Sequence, residues 1–175
     1  PDIQAVLDTI KTFQDYLRSG QLIVLRSTVC PGTSNRIYAM LNSAGLDIGV
    51  CFCSERISQG NAIRELKKLP QVISGTDSQS IATARELFST ITSEIMEVTL
   101  EEAEVTKLFS NAWRYLQFAI ANQFYTICLE KGLDFEKIRN AMMHNYARAK
   151  DFPKSGFAAG PCLFKDTMQL AAYSR

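Results

Sequence analysis

The chain has 175 residues, of which 46% are hydrophobic and 21% charged, a composition typical of a folded globular protein rather than a disordered or fibrous one. Its 19 basic and 18 acidic residues nearly balance, so charge gives no reason to expect nucleic acid or an anionic membrane surface as a partner. A single histidine argues against a histidine-rich metal site, and we expect no bound metal.

Helical periodicity and short β-branched runs alternate through the first part of the chain. The pattern predicts helices at 3–17, 33–43 and 77–91, a short helix or ordered loop at 61–69, and strands at 21–26, 46–53, 71–74 and 94–99. Thr33 or Ser34 is the expected cap of the second helix, and Asp77 that of the helix at 77–91. Because this alternation requires crossover connections, we expect an α/β architecture with a mostly parallel sheet that is covered on both faces.

The pattern changes after Thr99. Thr99 and Glu102 form a capping box, and no Gly or Pro interrupts the sequence from there to Lys131, so one helix of roughly 30 residues is expected. Shorter helices are predicted at 134–145 and 165–173, with a loop at 151–161 between them. We therefore expect a domain boundary near residue 98.

The long helix carries a polar stripe at helical spacing, formed by Glu104, Lys107, Asn111, Arg114 and Asn122. The stripe is either a solvated surface face, or a face from which Lys107 and Asn111 project into a cleft, where an ammonium and an amide can stabilise an oxyanion. The other faces are too apolar for a lone helix, which favours a subunit interface.

One of the five cysteines lies in a distinctive setting. Cys162 follows the flexible stretch 155–160 and precedes a predicted helix, with Lys165 close by, an arrangement that favours a nucleophilic thiol. The alternative is a small buried cysteine, which is how we interpret the other four. Because the chain has no C-x-x-C pair and no apolar run of the ~18 residues that span a membrane, free thiols and a cytoplasmic location are expected.

Two further segments follow predicted strands. Arg26–Thr33 joins a strand to a helix, and Ser54–Gly60 follows the next strand, so Thr28 and Glu55 are expected at the same carboxyl edge of the sheet. Small hydroxyl residues and a helix N-terminus there allow a phosphate or ribose to approach, although an ordinary strand–helix turn has the same composition.

In their order along the chain, these segments resemble the UDP-glucose/GDP-mannose dehydrogenase family of nucleotide-sugar 6-dehydrogenases. Arg26–Thr33 resembles the family's S-T-x-x-P-G-T turn, and Ser54–Gly60 its P-E-R/F-x-x-x-G segment. Glu102–Arg114 is similar to its E-A-E-x-x-K-x-x-x-N-x-x-R helix, and Gly160–Asp166 to its G-G-x-C-x-x-K-D loop. The chain departs from these patterns at Ser54, Gln123 and Ala159, where members commonly have Pro, Glu and Gly.

The resemblance implies a fold and a cofactor. The fold is α/β, the second half of a Rossmann-like parallel sheet followed by an all-α central domain with one long helix. Residues 1–97 then form the C-terminal half of the NAD-binding domain, residues 98–175 form the central dimerisation and active-site domain, and the C-terminal nucleotide-binding domain is absent. The cofactor implied is NAD, although the nine glycines never take the G-x-G-x-x-G spacing of the pyrophosphate turn, so this fragment is expected to be inactive alone.

The resemblance also implies a reaction. The C6 hydroxyl of UDP-glucose or a UDP-N-acetylhexosamine is oxidised to the uronate through a thiohemiacetal and a thioester on Cys162, with two NAD per turnover. Lys107 and Asn111 would hold the C6 oxygen, and Thr28, Glu55 and Asp166 would position or activate water. Thr28, Glu55 and Lys165 would contact NAD. The implied sugar contacts are Glu55, Lys107, Asn111, Ser155, Gly156 and Ala159.

The implied assembly is a homodimer through the helix at 101–131. Two other interpretations remain open at this point. The chain can be a non-catalytic dimerisation or binding module, or a relative of the hydroxyacid and 6-phosphogluconate dehydrogenases, which use lysine without a catalytic cysteine.

Overall fold

Short parallel strands and the helices between them occupy the first part of the chain in the computed structural model, which describes residues 2–58, 60–158 and 160–174. The chain divides into two units, one formed by residues 1–108 with 173–175 and the other by residues 109–172. We call them the first and the second unit.

The strands are β1 (Leu22–Leu25), β2 (Gly49–Phe52), β3 (Gln71–Ile73) and β4 (Ile95–Glu97). The helices are α1 (Ile3–Phe13), α2 (Thr33–Ser43), α3 (Ala62–Leu66), α4 (Ser78–Ser89), α5 (Leu100–Glu130), α6 (Phe135–Met143) and α7 (Cys162–Tyr173), with 3-10 turns at Gln14–Tyr16 and Ala147–Ala149.

The strands pair in parallel, as predicted. β1 pairs with β2, where Leu22 lies opposite Gly49, and β3 pairs with β4. Between β2 and β3 a hydroxyl replaces part of the backbone ladder: Ser74 Oγ accepts a hydrogen bond from Phe52 N at 3.3 Å and donates one to Phe52 O at 2.7 Å. The predicted sheet is thus built as two strand pairs, which are connected by the Ser74 hydroxyl and by hydrogen bonds between Thr76 and Val50.

Helices cover both faces of β2, which confirms the expected α/β architecture. Val50 packs in a cluster with Ile37 and Leu41 of α2, while Cys51 packs with Ala84 and Phe88 of α4. This alternation follows from the two-residue period of a strand. α4 approaches so closely that a Cβ added to Gly49 would lie 2.1 Å from Ser80 Oγ.

The long helix α5 has 31 residues and contains residues of both units. Its predicted capping box is confirmed: Thr99 N donates to Glu102 Oε2 at 2.8 Å, and Glu102 N donates to Thr99 Oγ1 at 3.3 Å. Within the described part of the chain, no helix combines the length and the apolar character that crossing a membrane requires.

In the second unit, Ala121 and Cys128 of α5 pack with Phe135 of α6, and Phe152 packs against this cluster. The prediction that α7 begins at residue 165 was wrong, because the helix begins at Cys162. Lys165 N donates to Pro161 O at 3.0 Å, so the helical hydrogen bonds start directly after the proline. This earlier start places Cys162 in the first turn.

Candidate active site

The second unit brings three of the predicted site residues together. Asn111 Nδ2 donates to Asp166 Oδ2 at 2.5 Å, and Lys165 Nζ forms an ion pair with Asp166 Oδ1 at 2.7 Å. Asp166 is 1% exposed and Asn111 is also buried, whereas the Lys165 side chain is 45% exposed. The hydrogen bond from Asn111 and the ion pair with Lys165 restrain the Asp166 side chain, although Asp166 Oδ1 accepts no hydrogen bond within the described part of the chain.

Cys162 is exposed, so the alternative of a small buried cysteine does not apply to it. It is the first residue of α7, and Asp166 lies four residues later on the same helix face. The other thiols differ, since Cys51, Cys53 and Cys128 are buried and Cys30 is half-buried.

The first unit brings Glu55 and Lys107 together. Lys107 Nζ donates to the backbone oxygen of Glu55 at 2.6 Å. The Glu55 carboxylate itself accepts hydrogen bonds from the backbone N–H groups of Arg56 at 2.7 Å and Ile57 at 3.0 Å. Lys107 therefore contacts the segment after β2 through the main chain of Glu55.

Arg26 is a site residue that the sequence analysis missed. Its guanidinium forms an ion pair with the Glu55 carboxylate, donates to Gln71 Oε1 at 3.1 Å, and lies 4.9 Å from the ring centroid of Phe88. A basic residue at the carboxyl end of β1, with an acid following β2, was the available signal, because parallel neighbours bring their carboxyl ends to one edge.

The hydrogen bonds of Glu104 contradict the expected cap of α2. Its carboxylate accepts hydrogen bonds from Gly32 N at 2.6 Å, Ser34 N at 2.9 Å and Ser34 Oγ at 2.6 Å. The predicted cap of α2 by Thr33 or Ser34 was therefore wrong. The residue before the helix is Gly32, and a carboxylate from α5 accepts hydrogen bonds from the amides of Gly32 and Ser34. The expectation that a phosphate or ribose approaches this turn stays a prediction, while the amides of Gly32 and Ser34 are engaged by Glu104.

Glu104 is 1% exposed, so this residue of the polar stripe does not belong to a solvated face. Burial raises the pKa of the Glu104 carboxyl, although its hydrogen bonds from Ser34 and Gly32 oppose that effect. The resulting contact ties the loop after β1 to α5 inside the first unit.

The remaining predicted residues lie on loops. Thr28 is half-buried in the segment after β1, Ser155 is half-buried, and Gly156 is exposed with a φ of +145°. Asn122, a member of the polar stripe, donates to Gly156 O at 2.9 Å and accepts from Gly156 N at 2.7 Å. Ala159 lies outside the residues that the structure describes. The catalytic and binding roles of all these residues stay predictions.

Two family models match the chain. Residues 1–92 match the NAD binding domain of the UDP-glucose/GDP-mannose dehydrogenase family, and residues 101–175 match the central domain of the same family.

Individual relatives agree with these matches. The UDP-N-acetyl-D-mannosamine dehydrogenase of Methanocaldococcus jannaschii is 35% identical over 145 residues, which are 82% of this chain and 34% of that protein. The chain thus spans about a third of the length of this curated relative.

Solved structures show the same fold. The UDP-D-ManNAc dehydrogenase of Pyrococcus horikoshii has a TM-score of 0.88 at 24% identity, covering 98% of this chain and 42% of that one. The NDP-N-acetyl-D-galactosaminuronic acid dehydrogenase of Methanosarcina mazei has a TM-score of 0.81 at 28% identity, covering 99% and 39%.

Proposed function

The chain belongs to the UDP-glucose/GDP-mannose dehydrogenase family, and we propose that it supplies part of the active site of an NAD-dependent nucleotide-sugar 6-dehydrogenase. The proposed substrate is a UDP-sugar, either UDP-glucose or a UDP-N-acetylhexosamine. The relatives named for UDP-N-acetyl-D-mannosamine support the second of these. This activity belongs to the longer protein of which the chain covers a part.

The proposed reaction converts a primary alcohol to a carboxylate in two oxidations. Loss of a hydride from C6 and a proton from its oxygen gives an aldehyde, and the Cys162 thiolate adds to the aldehyde carbon. The protonated adduct is a thiohemiacetal, which loses a second hydride and a proton to give a thioester. Water then releases the uronate and the thiol, so that one alcohol, one water and two NAD⁺ give one carboxylate, two NADH and three protons.

Cys162 is the proposed nucleophile because its thiol is exposed in the first turn of α7. Lys107 and Asn111 are proposed to stabilise the negative charge that develops on the C6 oxygen. An ammonium and an amide are donor groups that suit this task.

Asp166, Glu55 and Thr28 are proposed to position or activate the water that hydrolyses the thioester. Hydrogen bonds fix both carboxylates, Asp166 through Asn111 and Glu55 through the amides of Arg56 and Ile57. Fixed carboxylates are suited to orient a water molecule, because no rotamer search is needed in the transition state.

NAD, when bound, accepts the hydride in each oxidation. The donor set of the chain fits only part of this cofactor. Thr28, Glu55 and Lys165 offer a hydroxyl, a carboxylate and an ammonium that can hold a ribose or the nicotinamide amide. The N-terminus of α2 does not suit the pyrophosphate, because the Glu104 carboxylate already occupies the amides of Gly32 and Ser34. We therefore do not assign the cofactor's pyrophosphate to the N-terminus of α2.

The proposed assembly is a homodimer through the helix at 101–131. In the second unit, α5 exposes large apolar side chains at steps of three and four residues: Phe109, Trp113, Leu116, Ile120, Phe124 and Ile127. This spacing forms one apolar stripe along a helix, which is the pattern of a helix–helix interface.

The exposed Cys162 lies on the same helix as the buried Asp166, which accepts a hydrogen bond from Asn111 of α5, and this is the observation that best supports the proposal. The test uses the longest reading frame that contains this chain, with NAD and a panel of UDP- and GDP-sugars. We expect uronate formation by the wild type, and loss of turnover by at least about 100-fold in C162S, as for removal of a covalent nucleophile.

The matched control is C128S, which removes a buried thiol of α5. Unchanged uronate production by C162S would reject the cysteine mechanism and favour the lysine-dependent dehydrogenases. Failure of the wild type to oxidise any nucleotide sugar would instead support a non-catalytic module.

A further inference from the structure

The loop that precedes α7 is held by side chains from two helices of the second unit. Asn122 of α5 forms two hydrogen bonds to the backbone of Gly156, donating to its oxygen at 2.9 Å and accepting from its N–H at 2.7 Å. An asparagine side chain that pairs with both backbone groups of one residue imitates a strand neighbour and fixes that residue's position.

The start of the same loop is fixed by Arg139 of α6. Arg139 Nη2 donates to Phe152 O at 2.8 Å, and Nε lies 3.1 Å from both Phe152 O and Pro153 O. The Arg139 side chain is only 13% exposed, so these charge-assisted bonds are largely shielded from water. The Phe152 ring also stacks on Phe124, with centroids 5.6 Å apart and planes inclined by 19°.

We call the contacts of Asn122 and Arg139 with this loop the clamp. Gly156 is suited to the clamp because of its backbone torsion angle. Its φ of +145° is rarely adopted by residues with a side chain, while a Cβ at this position would meet nothing within 4 Å. The loop conformation that Asn122 holds therefore depends on glycine for its torsion angle and not for space.

We propose that Asn122 and Arg139 are positioning residues that preform residues 152–156 as a binding wall for the nucleotide sugar. This inference rests on the proposed function and on the sugar contacts of Ser155 and Gly156 that the family resemblance implies. A preformed loop loses less conformational entropy on binding than a mobile loop does. Since the clamp acts on binding and not on the reacting atoms, its loss is expected to raise KM for the nucleotide sugar and to spare kcat.

The test compares N122A and R139M with the matched control Q123A, which changes an exposed neighbour on α5. All are made in the longest reading frame that contains the chain. Amide hydrogen exchange at Gly156 reports on the clamp, and steady-state kinetics report on binding. For N122A we expect faster exchange and a KM for the UDP-sugar raised roughly tenfold, with kcat and KM for NAD within about twofold of wild type. R139M should raise the same KM, and R139K should restore part of it.

The outcomes separate this proposal from the function on which it rests. Equal KM values in N122A and Q123A, in an active enzyme, would overturn the positioning role and leave the dehydrogenase assignment intact. Unchanged exchange at Gly156 in N122A would overturn the clamp itself. A wild type that neither binds nor oxidises a nucleotide sugar would reject the proposed function, and this inference with it.

Discussion

Glu104 and Ser34 are 70 positions apart in the chain, yet the Glu104 carboxylate accepts hydrogen bonds from both the amide and the hydroxyl of Ser34, at 2.9 and 2.6 Å. With the bond from Gly32 N, this single side chain binds two amides at the start of α2, while the amide of Thr33 donates to Cys30 O. The loop that carries Thr28 and the helix that carries Lys107 are thereby joined inside the first unit.

Replacing Glu104 by alanine should destabilise the protein by about 2–3 kcal/mol, because the change removes a helix cap and leaves buried amides unpaired. Urea unfolding followed by circular dichroism measures the difference. E86A is the matched control, since Glu86 is exposed on α4 and its loss should change stability by less than about 0.5 kcal/mol. Equal midpoints for the two variants would contradict the capping role.

Glu104 should also make stability depend on pH. Burial raises the pKa of its carboxyl above the ordinary value of 4.5, so the folded state holds this proton more tightly than the unfolded state does. The stabilising contribution is therefore complete below pH 4.5 and is lost as pH rises through the raised pKa. E104Q lacks this titration.

The measurement is the free energy of unfolding of wild type and E104Q from pH 4 to pH 8. We expect the wild type to lose stability relative to E104Q as pH rises, with a plateau above the raised pKa. A difference that stays constant over the whole range, or that changes in the opposite direction, would count against the effect of burial.

The Arg26–Glu55 ion pair should contribute more stability than the Arg85–Glu97 pair at the surface. The side chains of the first pair are 32% and 33% exposed, whereas those of the second are 47% and 46% exposed. R26M should cost about 1–2 kcal/mol, because the contact with the Phe88 ring is lost as well, and R85M should cost less than about 1 kcal/mol. Thermal unfolding of the two variants gives the comparison, and a larger loss in R85M would refute it.

Cys162 should be the first thiol to react with a thiol-specific reagent. It is exposed, whereas Cys30 is half-buried and Cys51, Cys53 and Cys128 are buried. Mass spectrometry of the native protein during labelling should show one fast addition at Cys162, and C162S should lack that phase. Equally fast labelling of Cys51 or Cys128 would show that these thiols are not shielded as the structure describes them.

The proposed dimer predicts that a charge in the apolar stripe of α5 separates the subunits. I120E should sediment as a monomer at micromolar concentration while the wild type sediments as a dimer, because an unpaired buried carboxylate is costly. Y16E, which changes an exposed aromatic residue of the first unit, is the control that should stay dimeric. A monomeric wild type at these concentrations would refute the assembly.

Local signals were sufficient for most of the secondary structure. The capping box of Thr99 and Glu102 and the cap of α4 by Asp77, whose Oδ1 accepts from Ser80 N at 2.8 Å, were both predicted and confirmed. Each of these contacts joins residues three positions apart, so the sequence pattern contains both partners.

The failures involve contacts that no local pattern contains. The cap of α2 comes from a residue in another helix, and the partner of Glu55 is an arginine at the end of a different strand. The clamp on Gly156 likewise depends on an asparagine 34 positions earlier. Periodicity placed Asn122 on the polar stripe of its helix but could not name the group that it contacts.

The Ser74 hydroxyl links β2 to β3 at the junction between the two strand pairs of the first unit. A continuous ladder opens only when several backbone bonds break together. This junction depends on the Ser74 Oγ contacts to Phe52 and on two bonds between Thr76 and Val50, from Thr76 N to Val50 O and from Val50 N to Thr76 Oγ1. Local opening of the sheet would begin along this line, with each strand pair keeping its own ladder.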